Sequence, residues 1–69
     1  MKNKIGTVGH RIKVQRIKAN ITQAELGAMA GISAATICHF ETGRYDPRAR
    51  YLTAIATALG VPVSVFFGE

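Results

Sequence analysis

The chain has 69 residues, with nine lysines and arginines against four aspartates and glutamates, and a net charge of +5 at pH 7. This length allows one hydrophobic core and is too short for two, so we expect residues 1–69 to form a single domain. A composition of 48% hydrophobic and 19% charged residues excludes a disordered chain. The excess of positive charge suits a polyanionic partner such as nucleic acid.

The single cysteine and the distribution of apolar residues indicate which bound groups and which cellular location to expect. Cys38 cannot form an intrachain disulfide, and one cysteine with two histidines is too few for a four-ligand structural zinc site. We expect no metal, no cofactor and a reducing, cytoplasmic setting. The most apolar stretch, residues 54–67, contains Gly60 and Pro62 and is shorter than the roughly 20 residues of a membrane span, so no membrane partner is expected.

The first predicted helix covers about residues 7–19. Ile12 and Arg16 lie one turn apart on its expected core-facing stripe, and Thr7 is a suitable N-cap. Asn20 follows, and asparagine tolerates the left-handed conformation in which many helices end. The sequence therefore predicts a helix that stops just before Asn20.

The second predicted helix covers residues 23–30. Thr22 followed three places later by Glu25 is a capping box, and Gly31 is a typical C-terminal stop. The apolar stripe of this helix is expected to consist of Leu26, Met29 and Ala30.

The third predicted helix covers residues 34–42. Ser33 is a suitable N-cap, Ile37 and Phe40 lie on one face, and Gly43 follows the last residue. Only about three residues connect the second helix to the third, so the two helices must pack closely against each other.

The fourth predicted helix covers residues 47–59. Asp46 is expected to cap it, with Pro47 at the first helical position. Residues 62–67 predict a short closing turn or helix, and no window alternates as a strand would. The sequence thus predicts an all-α fold. The apolar stripe of the fourth helix is Leu52, Ile55, Ala56 and Leu59.

The second and third helices have the spacing of a helix-turn-helix unit. Gly27 supplies the small residue needed where the helices cross, and Gly31 supplies a residue that accepts positive φ in the turn. The positions that must pack between the helices are all apolar, namely Leu26, Ala30, Ile32, Ile37 and Phe40.

From Gly9 to Phe67 the chain resembles the family of lambdoid phage repressors and Cro proteins, whose relatives include restriction-modification controllers and antitoxins. The resemblance implies a compact five-helix bundle, the lambda-repressor-like DNA-binding domain, with helix 34–42 in the major groove. It implies a phage-type repressor or restriction-modification controller that binds a pseudo-palindromic operator as a homodimer. The matching motifs are Arg11-Ile12-Lys13, Thr22-Gln23-Ala24-Glu25-Leu26, Ala30-Gly31-Ile32-Ser33, Thr36-Ile37, Glu41-Thr42-Gly43-Arg44, Asp46-Pro47 and Ile55-Ala56-Thr57-Ala58-Leu59-Gly60-Val61-Pro62.

The resemblance also implies roles for individual residues. The phosphate contacts that it implies are Gln23, Thr36 and Arg44. The base-edge positions are Ala34, Ala35 and His39, where many relatives have arginine, glutamine or asparagine. This departure predicts base recognition through thymine methyl groups, His39 and DNA shape rather than through bidentate hydrogen bonds. A second departure is Arg48, which stands where relatives often have serine or threonine, and it moves the expected cap back to Asp46.

A structural ion pair is expected between Arg16 and Glu41. Arg16 lies one turn after Ile12 and Glu41 one turn after Ile37, so both charges project from core-facing stripes. In the family, a matching arginine and glutamate connect the first helix to the end of the third. The alternative is a pair of independent surface charges.

A dimer interface is expected in the C-terminal segment, residues 61–67, with the end of the fourth helix; the residues expected at it are Val63, Val65 and Phe66. The segment has more apolar side chains than a short closing helix can turn inward, and relatives commonly carry an acid at position 65. The alternative is that these residues close the core of a monomer.

The sequence also bears on three other functions: an enzyme, a toxin-binding antitoxin and a redox switch. An enzyme is not expected, because Cys38 and His39 are adjacent and project about 100° apart on a helix, which does not suit a nucleophile and its base. The main alternative is an antitoxin that chiefly binds a toxin, and RNA polymerase is another possible protein partner. Cys38 is open to two interpretations, a redox switch or a half-buried filler.

Overall fold

The computed structural model describes residues 7–67 of the chain. Within this range the α-helices are α1 (Val8–Lys18), α2 (Gln23–Ala30), α3 (Ala34–Glu41) and α4 (Ala49–Leu59), and a closing 3-10 helix covers Val63–Phe67. The predicted all-α class is confirmed. The count of five α-helices is not confirmed, because the last segment is a 3-10 helix. None of the described helices is long and apolar enough to cross a membrane.

Side-chain caps begin the first two helices, as the sequence predicts. Thr7 Oγ1 accepts a hydrogen bond from the His10 N–H at 3.3 Å. Thr22 Oγ1 accepts from the Glu25 N–H at 3.0 Å, and Glu25 Oε1 accepts from the Thr22 N–H at 2.8 Å. Between the two helices Asn20 has a positive φ of 62°. These local interactions satisfy N–H groups that have no partner inside a helix and so fix where each helix begins.

The start of α4 corrects an expectation. The N-cap residue is Arg48 and not Asp46, no side chain caps the helix, and α4 begins at Ala49, two residues later than expected. The Arg48 carbonyl oxygen accepts from the N–H groups of Tyr51 and Leu52 at 2.9 and 3.0 Å. We attribute this start to the burial of Leu52, which fixes the rotation of the helix and outweighs the preference for a capping side chain.

One hydrophobic core lies between the helices. α1 packs against α3 and the closing 3-10 helix, while α2 packs against α3 and α4. Met29, which was expected in the α2 stripe, is 57% exposed. The reason is that α2 turns Gly27 towards α3, and Met29 lies about 200° away around the helix. The buried core residues are Ile12, Leu26, Ile37, Phe40, Leu52, Ile55, Ala56 and Phe66.

Candidate nucleic-acid interface

α3 is anchored on one face and exposed on the other. Its buried residues are Ile37, Phe40 and Glu41. Ser33 fixes the start of the helix, because its Oγ accepts from the Thr36 N–H at 3.1 Å. A short helix that is held by its core-facing side chains in this way presents its opposite face to solvent in a defined orientation.

The turn between α2 and α3 depends on two glycines. Gly31 is left-handed, with φ 73° and ψ 33°, a conformation that most side chains disfavour. A Cβ atom at Gly27 would overlap the carbonyl oxygen of Ile32, and that residue's N–H donates to the Gly27 carbonyl at 2.8 Å. The absence of a side chain at Gly27 therefore allows the backbone of the turn to lie directly on α2.

The expected base-edge residues lie on the outer part of α3. Ala34 and Ala35 are exposed, and His39 is half-buried. Ala35 and His39 are one turn apart, and each lies about 200° around the helix from the buried Ile37. The His39 ring makes an edge contact with the ring of Tyr45, with centroids 4.9 Å apart and ring planes at 70°. This face offers two methyl groups and one imidazole.

The three expected phosphate contacts occupy different environments. Gln23 is half-buried, and its Nε2 donates to Glu41 Oε1 at 3.0 Å. Thr36 is half-buried, and its Oγ1 accepts from Ser33 Oγ at 2.8 Å. Arg44 is exposed in the loop after α3. Gln23 and Thr36 thus have structural roles in the chain itself, and the contact of all three with phosphate stays a prediction.

Arg16 and Glu41 connect α1 to the last residue of α3. Arg16 Nε lies 2.7 Å from Glu41 Oε2, and the side chains are 13% and 1% exposed. Arg16 Nη2 donates to Glu41 Oε1 at 3.1 Å, and Nη1 donates to the Ile21 carbonyl at 2.8 Å. The hydrogen bond with Glu41 raises the pKa of Arg16 above its usual value, against the opposing effect of burial. The bidentate geometry fixes the orientation of α3 relative to α1.

The expected dimer residues do not share one environment. Phe66 is completely buried and closes the core, so the expectation that it lies at a surface interface is wrong. Successive side chains of a 3-10 helix point about 120° apart, so only one of two consecutive phenylalanines can enter the core. The exposed one is Phe67, at 56%. Val63 is exposed, and Val65 is half-buried against the core.

Two residues that the sequence interpretation missed support the interface. A Cβ atom at Gly9 would overlap the carbonyl oxygen of Phe40, so α1 and α3 meet by direct backbone contact. A glycine inside a predicted helix, where it lowers helix stability, is the signal for such an approach. Tyr45, which packs on His39, had no comparable signal because the contact depends on how the loop folds.

The remaining chemical groups near α3 are side chains of the metal-binding types and the thiol of Cys38. Within residues 7–67, no three His, Cys, Asp or Glu side chains are grouped so that they could hold a metal ion. Cys38 is a free, half-buried thiol on α3. The outer face of α3 is thus exposed, and the basic residue Arg44 lies in the loop that follows it.

Comparison with known proteins places the chain among DNA-binding regulators. The helix-turn-helix family matches residues 12–66. The chain is 41% identical over 63 residues to the immunity repressor protein of Bacillus phage phi105. This match covers 91% of the chain and 44% of the phage protein. It is 36% identical over 58 residues to an uncharacterised HTH-type transcriptional regulator of Methanocaldococcus jannaschii. This second match covers 84% of the chain and 88% of the archaeal protein. The chain thus spans less than half the length of the phage relative.

Solved structures agree with this result. The crystal structure of the P22 c2 repressor in complex with a synthetic operator superposes with a TM-score of 0.82 at 32% identity, over 90% of the chain and 94% of the repressor chain. The solution structure of the P22 c2 DNA-binding domain superposes with a TM-score of 0.84 at 32% identity, over 97% and 88% of the two chains.

Proposed function

The chain belongs to the helix-turn-helix family, and we propose that it is a sequence-specific transcription regulator, of the phage repressor or restriction-modification controller type, that binds double-stranded DNA. In this proposal α3 enters the major groove, so that Ala34, Ala35 and His39 face base edges. The observation that carries the proposal is the exposed outer face of α3, held by a buried ion pair and a glycine-dependent turn. The fold match to a repressor solved in complex with a synthetic operator supports double-stranded DNA as the partner. The proposal includes a cytoplasmic setting, where a transcription regulator meets DNA.

Electrostatics supports a polyanionic partner. The chain carries a net charge of +5, and the exposed Arg44 lies three residues after the end of the proposed groove helix. Each phosphate that a basic side chain neutralises releases counterions, so the affinity should fall steeply with salt. We expect Arg44 to act on all sequences alike, and His39 to act on the base pairs that it faces.

Fluorescence anisotropy with labelled duplexes tests the proposal. The duplexes are the upstream region of the protein's own gene and a scrambled duplex of equal length. Ala35→Glu, which places a carboxylate on the outer face of α3, should lose operator binding. Ala28→Glu is the matched control, because Ala28 is also exposed and lies about 200° around α2 from both Leu26 and Ala30. It should lose only the small part of the affinity that depends on net charge.

Two results would contradict the proposal. Equal affinity for the upstream and scrambled duplexes at physiological salt would remove sequence specificity and favour an antitoxin that chiefly binds protein. Equal losses for Ala35→Glu and Ala28→Glu would show that α3 is not the element that enters the groove.

We further propose that the regulator works as a homodimer through the exposed side chains of the closing 3-10 helix. Val63 and Phe67 are 39% and 56% exposed, and exposed apolar side chains on so small a domain favour a protein contact. A twofold contact would set two α3 helices roughly 34 Å apart, one turn of DNA. The extents of 34 × 24 × 22 Å allow two touching copies to meet this spacing.

Sedimentation at micromolar concentration, free and on the operator, tests the dimer. Phe67→Asp should give a monomer that retains weak nonspecific binding and loses most operator affinity. Met29→Asp is the matched control, because Met29 is exposed to the same extent, at 57%, on a different element. A wild-type protein that stays monomeric both free and on the operator would contradict the dimer. DNA would then be bound by a single copy of the chain.

A further inference from the structure

The loop after α3 folds back onto His39. The His39 carbonyl oxygen accepts from the N–H groups of Arg44 and Tyr45 at 2.9 and 3.3 Å. The same oxygen accepts from the Thr42 hydroxyl at 3.3 Å. Three donors from the loop therefore meet at one backbone atom of α3. This anchoring fixes the position of the Tyr45 backbone relative to His39.

The Tyr45 side chain then packs against the His39 side chain. The ring centroids are 4.9 Å apart and the ring planes are inclined at 70°, which is the favoured edge geometry for two aromatic rings. His39 lies on the outer face of α3 and is nevertheless half-buried, whereas Tyr45 remains 52% exposed. The imidazole therefore has a fixed neighbour on one side while it stays accessible from solvent.

We propose that Tyr45 is a positioning residue for base recognition: its ring holds the His39 imidazole in the orientation in which it meets a base edge. This inference rests on the proposed function, in which α3 enters the major groove. The orientation of His39 matters here because Ala34 and Ala35 have no polar side-chain atoms, so the imidazole is the hydrogen-bonding group among the three base-edge positions.

The expected size of the effect follows from the cost of ordering a side chain. An imidazole without a fixed neighbour must be immobilised when DNA binds, which lowers affinity by about twofold to tenfold. This loss of affinity applies to operator DNA, where His39 contacts a base edge. It does not apply to nonspecific duplex, where the imidazole makes no base contact. Tyr45 should therefore change sequence preference more than overall DNA binding.

A double-mutant cycle tests the proposal, with binding-site selection and anisotropy as readouts. Tyr45→Ala should relax preference at the base pairs where His39→Ala relaxes it, and Tyr45→Ala/His39→Ala should be no worse than His39→Ala alone. Tyr45→Phe keeps the ring contact and should keep the preference. Arg44→Ala is the control in the same loop, and it should weaken operator and nonspecific duplex alike.

Proton NMR of the free protein gives a readout that does not depend on DNA. Removing the Tyr45 ring should shift the imidazole C–H resonances of His39, while those of His10 serve as an internal reference and should not move. Unshifted His39 resonances, or a Tyr45→Ala variant with intact sequence preference, would overturn the positioning role alone. A wild-type protein without sequence preference would overturn the proposed function, and the positioning role with it.

Discussion

Replacing Glu41 with alanine removes the group on which three donors converge. Its carboxylate accepts from Arg16 Nε at 2.7 Å and from Arg16 Nη2 at 3.1 Å, and from Gln23 Nε2 at 3.0 Å. The Glu41 side chain is 1% exposed, so water cannot easily replace it. The substitution leaves the Arg16 guanidinium, which is 13% exposed in the intact protein, with its hydrogen bond to the Ile21 carbonyl at 2.8 Å.

The expected loss is about 3 kcal/mol in the free energy of unfolding. Breaking a buried ion pair by removing one partner costs about 3–5 kcal/mol. The lower end applies because Arg16 keeps the Ile21 hydrogen bond and some contact with water. A domain of this size has a total stability of only about 3–10 kcal/mol. The same loss corresponds to a fall in Tm of roughly 10–25 °C.

Urea melts of the single and double variants measure this effect. Arg16→Ala combined with Glu41→Ala should lose less than the sum of the two single losses, because the pair is then removed as a unit. Asp46→Asn is the control, since Asp46 is exposed and the change also removes one negative charge. The raised pKa of Arg16 means that its contribution is present at every pH below its unfolded pKa. That contribution is lost only as the pH rises through the folded value.

A loss below about 0.5 kcal/mol for Glu41→Ala, the range of an exposed ion pair, would refute the reasoning. Strict additivity of the Arg16 and Glu41 losses would refute it as well. Either result would mean that α3 is oriented by apolar packing alone, through Ile37 and Phe40.

Four further substitutions have expected outcomes that urea melts or binding assays check. Gly9→Ala should cost about 3 kcal/mol, since its Cβ meets backbone that cannot move aside; a neutral change would contradict the close approach. Gly31→Ala should cost only about 1 kcal/mol, because space is free and only positive φ is strained. Phe66→Ala should lower the free energy of unfolding by about 3–5 kcal/mol, and a loss as small as that of an exposed residue would contradict its burial. Arg44→Ala should lower the salt slope by about one unit without changing the preferred sequence.

The features that could be predicted from the sequence are those that neighbouring residues decide. The Thr22–Glu25 capping box forms as expected, because both hydrogen bonds lie within four residues. The left-handed conformations at Asn20 and Gly31 follow from the residue types themselves. The helix-turn-helix spacing therefore follows from local sequence, without any tertiary contact.

The features that could not be predicted depend on how an element is rotated against the core. Met29 and Phe66 are both apolar; helical spacing predicts that Met29 is inside, and the surplus of apolar side chains in the closing segment predicts that Phe66 is at a surface. The structure reverses both. The rotation of α2 is set by the contact between Gly27 and the turn, and the inward turn of Phe66 follows from 3-10 geometry. Neither constraint can be detected in the spacing of apolar residues.

Several polar residues for which the resemblance implies a DNA contact also have an internal partner on the surface proposed to face DNA. The resemblance implies a phosphate contact for Gln23, and its amide also donates to Glu41, 18 residues away. The resemblance implies a base contact for His39, and its ring and carbonyl also anchor the following loop. Such partners order a side chain before DNA binds, and this lowers the entropic cost of binding. The same contacts that stabilise the fold therefore prepare the interface, so a substitution at Glu41 should weaken operator binding as well as stability.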